Sequence, residues 1–378
     1  MFSIPLQSFF YKGNVPNTVV PRGKRFSKTS AVKDLQLSIC LKKAKINAGG
    51  TDDRAMWSCI HPVHNCLPGI SLGKVRTGAK LFGKKLNMPF VVSGMTGGTL
   101  KAMKMNKALA RACESEGVGF GIGSQRAALE DKHLEATYKV RDTAPNVLLF
   151  ANIGLAQFLG KDGWTPSRAA EAVEMIGADA LCVHINPAQE AIQDEGDTDF
   201  ENDADAFEKI VKAVKVPVIA KETGCGVSRS RGIALIDTGA SAIDVGGRGG
   251  TSWTMIARQT QAKGKEETEG PFDEWGIPTP ASVAACSDLG VPIIATGGVR
   301  SGIHVAKSLI LGASCAGMAL PVLSALQEGR LDKLFERTRR ELATTMFLLG
   351  VDNIEDLREC TRYYVTEPLK SWMDAAKK

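Results

Sequence analysis

Residues 292–302 read PIIATGGVRSG, a short apolar run followed by two glycines, an arginine and a sequence suited to start a helix. Successive residues of the run are apolar, which is typical of a parallel strand covered on both faces. Gly297 and Gly298 predict a tight turn, and backbone N–H groups at the start of the next helix favour a phosphate. The stretch therefore predicts a strand–turn–helix unit with an anion site at its carboxyl end, beside Arg300.

The same unit repeats between residues 89 and 321. The predicted strands share an apolar run that ends in glycine or a polar residue, and they are Pro89–Met95, Val118–Gly123, Val147–Gly154, Ala180–Asn186, Pro217–Glu222, Ala242–Gly247, Pro292–Gly298 and Cys315–Pro321. Amphipathic helix candidates lie between them, namely Lys104–Glu116, Pro166–Ile176, Ala204–Val214, Ser228–Thr238 and Gly302–Leu311. A doubly wound sheet would show fewer units, so the pattern predicts an α/β fold of the (β/α)8 TIM-barrel type.

Two segments interrupt this rhythm. Residues 34–88 form an N-terminal extension with a helical piece at Leu35–Lys45, and residues 248–291 form a long insertion after the sixth strand. The charged, glycine-bounded Lys263–Gly270 predicts a loop near the barrel mouth. After the last strand we expect helix to the end of the chain, with Leu323–Leu349 covering the barrel. We interpret residues 34–378 as one domain.

Composition and charge exclude several classes of protein. Of the 378 residues 44% are hydrophobic and 23% charged, which is typical of a globular chain. No apolar run is long enough for a membrane span. Nine cysteines without a Cys-x-x-Cys pair disfavour a disulfide scaffold or a thiolate zinc site, and predict a reducing, cytoplasmic compartment.

The net charge of +6 comes from a basic arm, residues 1–33. The arm has no acid, and its basic residues are Lys12, Arg22, Lys24, Arg25, Lys28 and Lys33. The remaining chain is neutral, with 41 acidic residues balanced by as many basic ones, which disfavours a nucleic-acid surface. Organelle transit peptides and solvated extensions share the composition of the arm, so organellar import stays open beside a flexible segment.

Polar or glycine residues follow every predicted strand, at the end of a barrel where catalysis takes place. Lys221 has three interpretations: an amine for a Schiff base, a cation at the edge of a flavin, or a structural partner of Glu222. The phosphate cradle and the glycine-rich strand ends favour bound flavin mononucleotide, FMN. The densest polar cluster runs from His184 to Glu190, and Glu190 is the candidate ligand for Mg²⁺ held together with substrate phosphates.

Five motifs, in their order and spacing, resemble the type 2, FMN-dependent isopentenyl diphosphate delta-isomerase family. They are Met95-Thr96-Gly97-Gly98, Gly123-Ser124-Gln125-Arg126, His184-x-Asn186-x-x-Gln189-Glu190, Gly249-Gly250-Thr251-Ser252-Trp253 and Gly297-Gly298-Val299-Arg300. Val63-His64-Asn65-Cys66-Leu67-Pro68 and the tail through Trp372 also fit, so the likeness extends over about residues 30–375.

The resemblance implies an enzyme of isoprene biosynthesis that converts isopentenyl diphosphate to dimethylallyl diphosphate, with reduced FMN as acid–base cofactor. It also implies Mg²⁺, NADPH or NADH to keep the flavin reduced, and a homotetramer or octamer. The implied FMN site comprises Ser93, Met95, Thr96, Ser124, Asn152, Lys221, Thr251, Gly298, Arg300 and Ala319. The implied substrate residues are Lys33, Arg126, His184, Asn186 and Gln189. Glu190 would hold the metal, and Gln189 and His184 would be catalytic.

One departure concerns the family's N-terminal Arg-Lys-x-x-His pattern, which aligns with Val32-Lys33-Asp34-Leu35-Gln36. Loss of a guanidinium weakens a diphosphate contact. Either Arg25 or Lys28 of the basic arm replaces it, or the enzyme acts on a different phosphorylated or isoprenoid substrate.

Three further alternatives stay open. A 2-hydroxyacid oxidase type requires His-Gly-Gly where this chain has Arg248-Gly249-Gly250, which disfavours it. An inosine monophosphate dehydrogenase type requires a nucleophilic cysteine on a barrel loop, for which Cys225 is the only suitable residue. The third alternative is a flavin-binding homologue without isomerase activity, suggested by Val32 and Gln36 alone.

Overall fold

The computed structural model describes residues 32, 35–40, 53–262 and 269–378. The basic arm therefore lies outside the described residues apart from Val32, and so does the predicted substrate residue Lys33. Residues 35–40 are helical (α1), in agreement with the first half of the predicted piece Leu35–Lys45. Most of the predicted loop Lys263–Gly270 also lies outside the described residues.

The described strands form one closed parallel barrel and two short antiparallel pairs. In chain order they are β1 (Ile60–Pro62), β2 (Ala79–Leu81), β3 (Lys84–Leu86), β4 (Phe90–Val92), β5 (Gly119–Gly121), β6 (Leu149–Gly154), β7 (Ala180–Ile185), β8 (Val218–Glu222), β9 (Ala242–Asp244), β10 (Ile293–Ala295), β11 (Cys315–Met318) and β12 (Tyr363–Val365). Strands β4 to β11 pair in sequence order and β11 pairs with β4, which closes the barrel. Each of the eight predicted strands contains one of these barrel strands, so the (β/α)8 prediction is confirmed.

Helices cover the outside of the barrel. Those after α1 are α2 (Leu100–Glu116), α3 (Arg126–Glu130), α4 (Ser167–Ile176), α5 (Pro187–Ile192), α6 (Asp203–Ala213), α7 (Arg229–Asp237), α8 (Trp253–Gln261), α9 (Thr279–Cys286), α10 (Gly302–Ile310), α11 (Leu320–Gln327), α12 (Leu331–Leu349), α13 (Ile354–Arg358) and α14 (Leu369–Ala376). Helix α2 begins one turn before the predicted Lys104, because the Thr99 hydroxyl accepts the Ala102 N–H at 3.1 Å and caps its first turn. None of the described helices is both long and apolar enough to cross a membrane.

The prediction of helix to the end of the chain is wrong at Tyr363–Val365. This segment forms β12, which pairs antiparallel with β1 and sets Tyr364 opposite His61. The two rings stack with centroids 4.6 Å apart. Aromatic and β-branched residues favour an extended backbone, and the partner strand that selects it lies at the other end of the described chain.

The amino end of the barrel is closed by its own hairpin. Strands β2 and β3 are joined by Phe82 and Gly83, and Leu81 and Leu86 are buried in the cluster that fills the barrel interior. The Phe82 ring meets Phe150 of β6 edge to face, with centroids 6.0 Å apart. Because apolar side chains fill this end, the carboxyl ends of the strands are left to form the site.

Candidate functional site

The predicted site residues within the described chain all lie on, or just after, the carboxyl ends of barrel strands. Ser93 follows β4 directly, Ala319 follows β11 directly, and Asn152, His184 and Lys221 lie within β6, β7 and β8. The topology of the barrel therefore brings them to one mouth. Which of them make contact depends on register and loop geometry.

Asn152 and His184 are in contact across β6 and β7. The His184 Nδ1 atom lies 2.8 Å from Asn152 Oδ1. With an amide oxygen as acceptor, Nδ1 donates, and this fixes the orientation of the ring. A Cβ atom at Gly154, which pairs with His184 in the strand register, would lie 2.7 Å from its Nε2 atom, so the close approach of the ring requires glycine there.

Asn186, Gln189, Glu190 and Gln193 form a second group, which we call the amide cluster. Helix α5 starts directly after β7 and buries Glu190, whose carboxylate accepts from Asn186 Nδ2 at 2.7 Å and from Gln193 Nε2 at 3.2 Å. The Asp197 N–H donates to the same carboxylate at 3.1 Å. Asn186 Oδ1 is buried and has no hydrogen-bond partner in the described part of the chain. The cluster thus combines one carboxylate with rotatable amides.

Lys221, Asp244 and Thr296 form a third group, which we call the charge cluster. Lys221 Nζ donates to Asp244 Oδ2 at 2.8 Å, with side chains only 11% and 6% exposed. Burial by itself lowers the pKa of Lys221, but the adjacent carboxylate outweighs burial and raises it. A charged ammonium is not the nucleophile that a Schiff base needs.

The third interpretation of Lys221, as a structural partner of Glu222, is met only at the Glu222 backbone, because the Glu222 carboxylate is bound elsewhere. Glu222 Oε2 accepts the backbone N–H groups of Gly224 at 2.6 Å and Gly226 at 3.0 Å, and that of Cys225 between them. Lys221 contacts only the backbone carbonyl of Glu222, at 3.3 Å. Burial raises the pKa of Glu222 to about 7, although the three donors oppose it. We call this arrangement the Glu222 cage.

Cys225 does not have the environment of a reactive thiolate. Burial raises its pKa to about 12, and the neighbouring Glu222 adds to the rise. A nucleophilic cysteine needs a lowered pKa. This observation argues against the alternative of a dehydrogenase that uses Cys225.

Two glycine turns pack against each other at the ends of β9 and β10. Gly297 and Gly298 have φ angles of 108° and 72°. A Cβ atom at Gly298 would lie 2.5 Å from Gly249 O, and one at Gly250 would lie 2.9 Å from Gly298 N. Helix α10 starts a few residues later, so its first N–H groups lie beside this glycine cradle.

The residues at the mouth fit an FMN molecule. Ser93 Oγ is buried without a partner among the described residues, the Lys221 ammonium is buried and charged, and the glycine cradle adjoins a helix N-terminus. An unsatisfied hydroxyl and a buried cation suit the polar edge of a flavin ring. The cradle suits the phosphate.

Glu190 fits a magnesium ion only in combination with a substrate. Within the described residues, no group of three or more His, Cys, Asp or Glu side chains could hold a metal. Magnesium is commonly bound by one or two carboxylates together with phosphates and waters. Among the described residues, Glu190 Oε1 accepts only the Asn186 amide, so one of its lone pairs is left for a cation.

A cleft between the loops of β7 and β8 brings the amide cluster to the Glu222 cage. Asn186, Gln189, Glu222, Trp253 and Trp275 contribute to its walls. Arg126 belongs to a more exposed part of the mouth, where it forms ion pairs with Glu130 at 2.7 Å and Asp197 at 3.8 Å.

Sequence reasoning missed three residues of this site. Asp244 is an acid inside an otherwise apolar strand, and that signal was available in the run Ala242–Gly247. Trp275 lies in the insertion, next to a glycine, with nothing in its spacing to indicate a cleft wall. The role of Glu222 as an anchor for its own loop depends on backbone direction, which residue order does not specify.

Known proteins similar to this chain fall into two groups. The family model described as FMN-dependent dehydrogenase matches residues 166–363. An isopentenyl-diphosphate delta-isomerase of Archaeoglobus fulgidus is 41% identical over 352 residues, which cover 92% of this chain and 99% of that protein. The enzyme of the same name from Pyrococcus furiosus is 40% identical, covering 89% and 86% of the two chains.

Similar solved structures include a lactate oxidase of Pediococcus acidilactici, with a TM-score of 0.58 and 18% identity over 89% of this chain and 94% of that one. A mandelate oxidase variant has a TM-score of 0.56 and 19% identity, and covers 88% and 99% of the two chains. At 18–19% identity, these structures indicate a shared barrel fold and nothing about activity.

Proposed function

The chain belongs to the isopentenyl-diphosphate delta-isomerase family, and we propose from this premise that it isomerises isopentenyl diphosphate to dimethylallyl diphosphate with bound FMN. The observation that carries the proposal is the meeting of two unlike groups at one barrel mouth. The charge cluster offers a buried cation to a flavin, and the amide cluster offers neutral hydrogen-bonding groups to a substrate. The reaction has no net redox change, so a site that moves protons is what it requires.

FMN in this proposal is held by residues of seven strand ends. They are Ser93, Met95, Thr96, Ser124, Asn152, Lys221, Thr251, Gly298, Arg300 and Ala319. When bound and reduced, FMN supplies the acid–base group for an unactivated alkene, which side-chain acids protonate poorly near neutral pH. The Lys221 ammonium orients the ring edge, and the glycine cradle with Arg300 binds the phosphate.

The substrate in this proposal contacts the side of the mouth formed by β7 and α5. His184, oriented by Asn152, and Arg126 bind the diphosphate, and Asn186 lines the pocket beside Gln189. Gln189 lies in the cleft and is proposed to act at the allylic carbon in proton transfer. Glu190 holds Mg²⁺ together with the diphosphate.

The proposal has further parts that depend on the family resemblance rather than on geometry. NADPH or NADH reduces the flavin, the protein assembles as a homotetramer or octamer, and residues 34–378 act as one domain. The basic arm supplies a cation to the substrate or directs the chain to an organelle, and a cytoplasmic location is the alternative to import.

A second function is favoured by one observation, the replacement of the family's N-terminal arginine by Val32. An FMN enzyme that acts on a different phosphorylated or isoprenoid substrate would need one fewer guanidinium contact. The two proposals share the FMN site and differ only in the compound that is converted.

Purification followed by an absorbance spectrum and an anaerobic isomerase assay tests the proposal. We expect a yellow protein that loses its visible band on reduction and then interconverts the two diphosphates. A colourless protein that takes up no FMN on titration would remove the proposed mechanism. A yellow protein without isomerase activity would favour the second function.

A further inference from the structure

The Lys221–Asp244 pair is built from two adjacent strands, and the residue after the next strand supports it. The two residues are direct partners in the parallel register of β8 and β9, so their side chains point to the same face. Their charged atoms lie 2.8 Å apart, and both side chains are almost completely buried. A buried ion pair of this kind requires hydrogen bonds to its remaining polar atoms.

The Asp244 carboxylate accepts three hydrogen bonds, which involve both of its oxygens. Its Oδ2 atom accepts Lys221, and its Oδ1 atom accepts the Gly246 N–H at 3.2 Å and the Thr296 hydroxyl of the next strand end. Both carboxylate oxygens are therefore engaged, and the carboxylate cannot rotate away from the ammonium without breaking these bonds. The position of the charge is set by backbone and strand register rather than by a flexible side chain.

Lys221 retains one donor. An ammonium has three N–H groups. One donates to Asp244 and one to the Glu222 carbonyl at 3.3 Å, and no further partner exists in the described part of the chain. The remaining N–H is the one that a ligand at the mouth can accept.

We propose that Asp244 is a positioning residue, which keeps Lys221 protonated and directs its remaining N–H to the flavin. The inference deepens the proposed function and rests on its FMN site. Asp244 touches neither the substrate nor the flavin, and acts only through the ammonium. Without its carboxylate, Lys221 would be a buried ammonium whose nearest carboxyl group is that of Glu222, bound by its own loop, and burial favours loss of the ammonium proton.

Four other titratable groups lie near Lys221 and could contribute to the pH dependence that the experiment measures. Asp244 lies on β9, Glu222 is its chain neighbour on β8, and Cys182 and His184 lie on β7. Cys182 is a buried thiol whose pKa is raised to about 12, so it stays neutral over the range used below. The matched variants all retain Glu222 and His184, and the variants without Lys221 show how much pH dependence remains when the ammonium is absent.

The experiment measures sulfite affinity of the FMN-loaded protein between pH 6 and 10, by loss of the visible flavin band. Sulfite adds to flavins, and its affinity increases with positive charge at the ring edge. Relative to wild type at each pH, Asp244→Asn should lose affinity as pH rises, by up to about tenfold per pH unit for one proton. The Lys221→Met/Asp244→Asn double variant should have a low affinity that does not change with pH relative to Lys221→Met.

Thr296→Val and Asp244→Glu both keep the two charges. Thr296→Val removes one hydrogen bond to Asp244 Oδ1, so it should bind sulfite more weakly but with the same pH dependence as wild type. Asp244→Glu keeps the charge but displaces it, so it should show no added pH dependence while binding FMN more weakly. It also carries the test if Asp244→Asn does not fold, because an added pH dependence in Asp244→Glu would overturn the inference.

Two other results would overturn the inference. An Asp244→Asn variant that follows wild type at every pH would mean that Asp244 does not control the charge of Lys221. The same pH profile in the presence and absence of Lys221 would mean that Asp244 acts on the flavin by another route. Failure of the wild type to take up FMN would instead overturn the proposed function, and this inference with it.

Discussion

Helix α5, which follows β7, and the end of β8 each contain one glutamate, and the two are buried to the same extent but bound differently. Glu190 and Glu222 are both 8% exposed. Two side-chain amides and one backbone N–H bind Glu190, whereas three consecutive backbone N–H groups bind Glu222. Side-chain amides can turn to a ligand while the chain stays in place, and backbone donors cannot. We therefore expect Glu190 to be able to release its amide partners and bind a ligand, and Glu222 to hold the loop after β8 in place.

The largest expected effect is on stability, and it compares the two carboxylates directly. Glu222→Ala leaves three buried backbone donors without an acceptor, so we expect the free energy of unfolding to fall by about 3–5 kcal/mol. Glu190→Ala should lower it by only about 1–2 kcal/mol, because it removes the acceptor of one backbone N–H rather than three, and its side-chain amide partners can rotate. Urea denaturation followed by circular dichroism measures both values.

Glu195→Ala, at an exposed position shortly after helix α5, is the matched control and should leave the free energy of unfolding unchanged. Equal losses for Glu190→Ala and Glu222→Ala would contradict the distinction between exchangeable and anchoring carboxylates.

The second prediction uses the pKa of Glu222. Because this pKa is raised to about 7 in the folded state, from an ordinary value of 4.5, the folded protein binds more protons between these values than the unfolded chain does. The Glu222 contribution to the free energy of unfolding should therefore fall as pH rises from 4.5 to 7, by about 3 kcal/mol in total.

Glu222→Gln does not titrate, so denaturation at several pH values should show a flatter profile for this variant than for wild type. A profile for Glu222→Gln that is parallel to wild type would mean that another group carries the pH dependence.

The third prediction concerns the exchangeable carboxylate. Glu190→Gln should raise the Mg²⁺ concentration needed for half-maximal isomerase activity by about ten- to a hundredfold, since a charged contact is worth about 1.5–3 kcal/mol. Flavin content, measured by absorbance, should stay the same because Glu190 is proposed to touch the metal rather than the cofactor. Flavin loss in this variant would mean that Glu190 belongs to the FMN site.

The fourth prediction concerns the cations that the amide cluster lacks. Its members are neutral apart from Glu190, so the diphosphate needs positive charge from elsewhere. If the basic arm supplies it, neutralising Arg25, Lys28 and Lys33 together should raise the apparent substrate constant about tenfold for one lost contact. Steady-state kinetics on the full chain measures it.

The restored family pattern is the companion variant. Val32→Arg with Gln36→His should improve substrate binding or leave it unchanged. Deletion of the arm to residue 31 without effect would identify the arm as a targeting or solvated segment. If the restored variant gained isomerase activity from an inactive parent, the natural protein would act on another substrate.

The smallest expected effect comes from removing a single side-chain amide of the amide cluster, that of Gln189. Gln189→Met keeps the length of the side chain and removes its amide. We expect the turnover number to fall by about fivefold to tenfold with little change in substrate affinity, as for loss of a hydrogen bond made mainly in the transition state. Equal changes in both constants would assign Gln189 to substrate binding alone.

The barrel could be predicted from the sequence because each unit is local. An apolar run such as Pro292–Gly298, with its glycine end and the helix after it, carries the signal for one strand and one turn. The strand ends then locate the site, which is why His184, Asn186 and Glu190 were found together. In a barrel, the carboxyl end of every strand faces the same mouth, so the position of a residue at a strand end is enough to place it at the site.

The partners of the charged groups could not be predicted in the same way. Lys221 and Asp244 are 23 residues apart, and only the register of β8 against β9 brings them into contact. The Glu222 cage depends on three consecutive N–H groups that converge on one oxygen, a backbone conformation that the residue types permit but do not require. Strand β12 depends on β1 and has no local signal strong enough to outweigh a helical interpretation.

The pairing of β1 with β12 also has a consequence for the order of folding. The backbone N–H of Thr366 donates to Cys59 O at 3.0 Å, across 307 residues of chain. Contacts this distant in sequence form slowly, because the chain between them loses loop entropy before the contact repays it. During synthesis, Cys59 is made 307 residues before Thr366, so its backbone carbonyl is without this partner over that interval. The β1–β12 pairing therefore requires the chain as far as Val365, whereas the β2–β3 hairpin requires only the residues up to Leu86.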